Sequence, residues 1–165
     1  MLKLVLPSNI SSQIEEALIK AGRREVGGLL MAEHVSTNEF VVRKVTINRQ
    51  GTFASFVRNI HDVWFKLSRF FDQTKHDYSR FNYIGEWHSH PSFAPSPSAQ
   101  DHLTMREIIT DRTIAANFVV LLVVKLGLEQ ILVGTVHTYL PDGQQKKSEL
   151  VIQRAAIEGE NTETF

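Results

Sequence analysis

The chain has 165 residues, 42% of them apolar and 22% charged, the composition of one globular domain able to bury its own core. Its 18 basic and 18 acidic side chains cancel, so no bulk field draws it to nucleic acid or to an anionic membrane. There is no cysteine; disulfides and thiolate metal sites are excluded, and any metal must be held by imidazole and carboxylate.

Residues 2–6 read as a short first strand, and the apolar run ending at Pro7 is too short for a secretory segment. Ser12-Gln-Ile-Glu15 has the form of a capping box. Ile10, Ile14, Ala17, Leu18 and Ala21 recur at helical spacing, with Gly22 as the stop. Strands are expected over 26–32, entered through Gly27-Gly28, and over 40–47, with a further short one possible at 52–57. A second helix should open between Asn59 and Asp62 and run to about His76, its stripe formed by Val63, Trp64, Leu67, Phe70 and Phe71.

Residues 83–87 read as a strand running into His88. The segment 91–97 holds three prolines and must be a loop. Ser98-Ala-Gln-Asp101 resembles a third helix start, followed by Leu103, Met105, Ile108 and Ile109. Residues 118–124 are almost continuously apolar and β-branched, the signature of a strand buried on both faces. At seven residues this stretch falls far short of the roughly 20 needed to span a bilayer, so a cytoplasmic protein is expected. Residues 131–138 should return as its hairpin partner, with a last strand over 150–153. The expectation is an α/β (α+β) fold with a mixed sheet flanked by helices. Residues 1–157 would form one domain and 158–165 a flexible tail.

The chemistry lies in Gly85-Glu-Trp-His-Ser-His-Pro91, followed by Ser98 and Asp101. His88 and His90 stand at i and i+2 on an extended chain, so both imidazoles point to one side. The proline-rich loop turns the chain back, and the first turn of the next helix can offer Asp101 from a third direction. Three such ligands leave a fourth tetrahedral position open, as catalytic zinc sites do. Nitrogen and oxygen donors suit zinc without excluding other transition metals. Hydrolysis further requires a base for the water and a donor for the developing oxyanion, and Ser98 lies close enough along the chain to be that donor.

His88-Ser-His90, Ser98 and Asp101 match the metal motif of the JAMM metalloproteases of the JAB/MPN family, and Glu25-Val-Gly-Gly-Leu-Leu-Met31 resembles the segment that carries its glutamate. The resemblance covers residues 25–139. It implies a curved, mostly antiparallel JAB/MPN-like sheet, similar in architecture to cytidine deaminase. It further implies Zn2+ held by His88, His90 and Asp101, Glu25 as general base, and Ser98 steadying the tetrahedral intermediate. The implied activity is hydrolysis of the amide bond after the C-terminus of a ubiquitin-like protein. The short form with Gly-Glu-Trp before the first histidine looks like the bacterial branch, whose members act beside E1- and E2-like proteins, several of them in anti-phage defence.

Plainer roles compete at each position. Asp101 and Ser98 could simply cap the helix; Glu15, Glu16, Glu33 and Glu86 compete with Glu25 as bases. Ser89 reads as structural, Trp64 and Trp87 as core or cleft-wall aromatics, and His102 as a solvent-facing helix residue. An extended substrate tail could add as a strand beside the sheet. The rival functions are a JAB-type peptidase releasing a small amino acid from a sulfur-carrier protein and a non-catalytic MPN interaction module. A nucleobase deaminase would need a Cys-x-x-Cys that this chain lacks.

Overall fold

The continuous apolar run does form the middle of the molecule. In the computed structural model, which describes residues 1–48 and 60–155, it lies in the strand Val119–Leu126, and Val119 to Val124 are all buried. Val120, Leu122 and Val124 face a core shared with the first helix, whereas Val119, Leu121 and Val123 face Met105, Ile108 and Ile109 of the third. A strand covered on both faces has no position left for a polar residue.

The described elements are, in chain order, β1 (Lys3–Leu6), α1 (Ser8–Ala21), β2 (Gly27–Ser36), β3 (Glu39–Val45), α2 (Ile60–Gln73), β4 (Phe81–Ser89), α3 (Ala99–Thr110), β5 (Val119–Leu126), β6 (Leu132–Tyr139) and β7 (Gln145–Ile152). The possible strand at 52–57, the start of the second helix at Asn59 and the tail at 158–165 lie outside the described residues. The strands close in the order β1-β3-β2-β4-β5-β6-β7. Four of the neighbouring pairs are antiparallel (β2–β3, β2–β4, β5–β6, β6–β7), and β1–β3, β1–β7 and β4–β5 are parallel. The mixed, mostly antiparallel α/β sheet is therefore observed, and it curves far enough to become a barrel. Each described strand has a neighbour on both sides in this order.

Helix α1 buries the expected stripe of Ile10, Ile14, Ala17 and Leu18 against β3, β5 and β6; full burial of each Ile or Leu is worth about 1.5–3 kcal/mol. The helix starts four residues before the expected capping box, directly after Pro7, with no side-chain cap. The box residues bond elsewhere: Glu15 Oε1 accepts from the Leu132 N–H at 3.2 Å, and Ser11, just before the box, donates to the Gln153 carbonyl at 2.8 Å. Packing of Ile10 inside the barrel has overridden the local cap. In α2, Phe70 is buried with Leu29 and Met31, whereas Trp64 is exposed, so the stripe is narrower than its spacing suggested. No described helix is long and apolar enough to cross a membrane.

Candidate metal centre and cleft

The site forms where the start of β2 meets the end of β4. In the antiparallel register Gly27 stands opposite His88 and Gly28 opposite Trp87. A Cβ on Gly27 would sit 2.5 Å from the Trp87 carbonyl oxygen and 2.9 Å from the His88 Cβ; one on Gly28 would overlap the Thr46 carbonyl. Only glycine lets three backbones approach this closely. The Trp87 indole donates to that same Thr46 carbonyl at 2.9 Å, which locks β4 against the end of β3.

The strand alternation then delivers both imidazoles to one side. His88 Nε2 and His90 Nε2 lie 2.9 Å apart, and Asp101 Oδ2 lies 3.5 Å from each. All three residues are buried. A tetrahedral ion with ligands at 2.0–2.2 Å sets its donor atoms roughly 3.3 Å apart. The observed triangle brackets that value, and the donor set of two imidazoles and one carboxylate is one zinc accepts. His90 Nδ1 lies 3.2 Å from the Ala94 carbonyl. A carbonyl can only accept, so Nδ1 carries the proton and Nε2 turns its lone pair to the cluster, the orientation a metal ligand needs.

Asp101 enters from the first turn of α3. Its Oδ2 accepts from the Ser98 N–H at 2.7 Å, and its own N–H donates to Ser98 Oγ at 3.2 Å, a complete capping box. The cap and the cluster use the same oxygen, so the capping reading and the metal reading coexist. Burial pushes the Asp101 carboxyl up, but the His88 imidazole, through a hydrogen bond and its charge, and Ser98 beyond it hold the group well below the usual carboxylate range. The Ser98 hydroxyl oxygen accepts from the Asp101 N–H in this cap.

Glu25 is exposed in the turn between α1 and β2 and lines a cavity of about 780 Å³ together with His90, Ser98 and Asp101. The structure thus brings all five sequence-predicted residues to one place. Of the competing glutamates, three are committed to partners away from this cluster. Glu33 pairs with Arg43 and Arg80 near the far end of β2, Glu16 pairs with Lys20, and Glu15 is committed to Leu132. Glu86 is buried, and Tyr83 donates to its Oε1 at 3.1 Å.

Ser89 is structural, in keeping with its sequence reading, whereas His102 departs from its own. Ser89 donates its N–H to the Val26 carbonyl at 2.8 Å, and its Oγ accepts from the Val26 N–H at 3.0 Å. The residue between the two histidines therefore pins the residue after Glu25. His102 is half-buried rather than fully solvent-facing: its Nδ1 lies 2.8 Å from the Tyr139 hydroxyl, because α3 packs this side on the end of β6. The only sequence hint was the helical spacing of His102 with Met105 and Ile109.

A family model described as prokaryotic homologs of the JAB domain matches residues 7–138. The chain belongs to this family. The JAB domain is also 27% identical over 112 residues to the CD-NTase/cGAS isopeptidase of Enterobacter hormaechei subsp. hoffmannii (strain UCI 50), a match covering 64% of this chain and 57% of that protein. This JAB domain thus spans little more than half the length of that relative. Among solved structures it resembles that of protein DSY2949 from Desulfitobacterium hafniense, with a TM-score of 0.58 and 18% identity, over 92% of this chain and 94% of the other. At that identity the likeness speaks for the fold alone.

Proposed function

We propose that this JAB domain is a JAMM-type zinc isopeptidase. It hydrolyses the amide bond after the C-terminus of a ubiquitin-like protein, deconjugating or maturing it within a bacterial defence pathway. The observation that carries the reading is the convergence of His88 Nε2, His90 Nε2 and Asp101 Oδ2 beside a cavity that Glu25 and Ser98 also line. The name of the Enterobacter relative, an isopeptidase, supports the bond class.

His88, His90 and Asp101 would hold the zinc. When bound, zinc supplies Lewis acidity that polarises the scissile carbonyl and lowers the pKa of water to about 7. The Glu25 carboxylate takes a proton from the attacking water as its oxygen joins the carbonyl carbon. The Ser98 hydroxyl donates to the oxyanion. As the C–N bond breaks, Glu25 returns that proton to the departing amine, leaving a free carboxylate and a free amine. Ser89 holds Val26, and with it the backbone that aims Glu25.

The test combines elemental analysis with cleavage of a ubiquitin-like fusion. The wild type should carry about one zinc per chain, and Glu25→Ala should keep the metal while losing about 10²–10⁴ in rate. Equal rates would remove Glu25 as base, and a chain that takes up no zinc even from added metal would sink the reading.

A further inference from the structure

The loop between His90 and Ser98 does more than turn the chain. Phe93 at its apex is 69% exposed and forms part of the cleft wall with Ala94 and Pro97. Single exposed aromatics are ordinary; the loop backbone that carries this one is pinned beside the reacting groups. The Lys125 ammonium donates to the Phe93 carbonyl at 3.2 Å, the Thr135 hydroxyl to the Pro95 carbonyl at 2.6 Å, and the His90 ring to the Ala94 carbonyl at 3.2 Å. A binding surface fixed in advance loses little entropy on contact.

Resting on the isopeptidase reading, we propose that Phe93, with Ala94 and Pro97, packs against the hydrocarbon stem of a lysine whose ε-nitrogen is the leaving amine. Phe93 would then be the residue through which this chain selects an amide on a side chain over one on a backbone. The proton held by Glu25 must reach the departing nitrogen within hydrogen-bond distance, so whatever carries that nitrogen occupies the cleft that Glu25 lines. Phe93, Ala94 and Pro97 form an apolar stretch in a wall otherwise lined by polar side chains such as Ser96, Gln100 and Thr104, and that stretch suits methylenes. The cavity of about 780 Å³ lies in the range that enclosed ligands of many atoms occupy, more than a small amino acid fills.

The test is a substrate series in which the C-terminal carboxyl of ubiquitin is joined to the side-chain amine of lysine, ornithine, diaminobutyrate or diaminopropionate within one fluorescent peptide. For the zinc-loaded wild type, kcat/KM should fall about tenfold or more from the longest stem to the shortest. Phe93→Ala should bring the lysine substrate down towards the diaminopropionate rate and leave the latter within about twofold, with Phe93→Leu retaining part of the preference. Differences in amine basicity along the series are common to all three enzymes and cancel in the comparison. A uniform loss across the series, no loss, or a wild type indifferent to stem length would overturn the proposal while leaving the isopeptidase reading intact. Cleavage of no member by the wild type would overturn both.

Discussion

Glu86 offers a sharp check on the electrostatics of this sheet. It is almost fully buried, and its Oε2 meets no hydrogen-bond partner among the described residues. Burial raises its carboxyl to about 8, with the Tyr83 hydroxyl pulling partly the other way; the unfolded value is 4.5. The native chain thus keeps a proton that the unfolded chain releases as pH rises past 4.5. A raised native pKa contributes its full stability below the unfolded pKa and loses it progressively up to the native one. Between those values each pH unit removes about 1.4 kcal/mol, so the loss at pH 7 is about 3 kcal/mol relative to pH 4.

The measurement is urea unfolding of metal-free wild type and Glu86→Gln from pH 5 to pH 8. Metal-free protein is required, because a cation on His88 two residues along would draw the carboxyl down. Any pH-independent cost of the amide shifts one curve bodily, so the difference in slope isolates the proton. Wild-type stability should fall more steeply than the variant's by about 1.3 kcal/mol per pH unit around pH 6, between the two pKa values. Parallel curves would show that Glu86 is ionised in the native state and that the strand interior is not as dry as its burial implies.

Three further outcomes follow from the geometry. Ser89→Ala strips the buried Val26 N–H of its acceptor and should cost about 1–3 kcal/mol in urea unfolding; a neutral result would show that Val26 finds another partner. Gly28→Ala drives a Cβ into the Thr46 carbonyl, a backbone atom, and should unfold the domain or cost more than about 3 kcal/mol. At Gly143, where φ is +87° but nothing lies within 4 Å, alanine should cost only about 1 kcal/mol. Equal costs would refute the close-approach argument. Zinc at a thousand times its dissociation constant should stabilise the wild type by about 4 kcal/mol and Asp101→Ala much less, read as a shift of the thermal midpoint.

What the sequence could reveal depended on the distance over which each constraint acts. The two-sided burial of β5 is written in consecutive residues, and the His88, His90, Ser98 and Asp101 set spans one strand end, one loop and one helix turn; both were legible. The start of α1 was not, because Ser12-Gln-Ile-Glu15 is a sound local cap that loses to Ile10 packing in a barrel closed by β7, far along the chain. Trp64 was misplaced for a related reason: helical spacing gives the centre of an apolar stripe but not its width, which the neighbouring sheet decides. The closure of the sheet left no trace in any single segment, since β1–β3 and β1–β7 pairings join residues remote in sequence.

The link between Glu25 and the histidines shows why the glutamate's segment was readable at all. Sixty-two residues separate Glu25 from Trp87, yet the antiparallel register sets Gly27 and Gly28 against His88 and Trp87. Glycine is required at both places by the approach of the Trp87 and Thr46 carbonyls. Ser89 then closes the pair by bonding both backbone groups of Val26. The Gly-Gly after Glu25 and the Ser between the histidines are thus two ends of one contact. Shifting β2 by one residue would turn Glu25 away from the cleft and also break both Ser89 bonds, so the register that folds the sheet is the register that assembles the site.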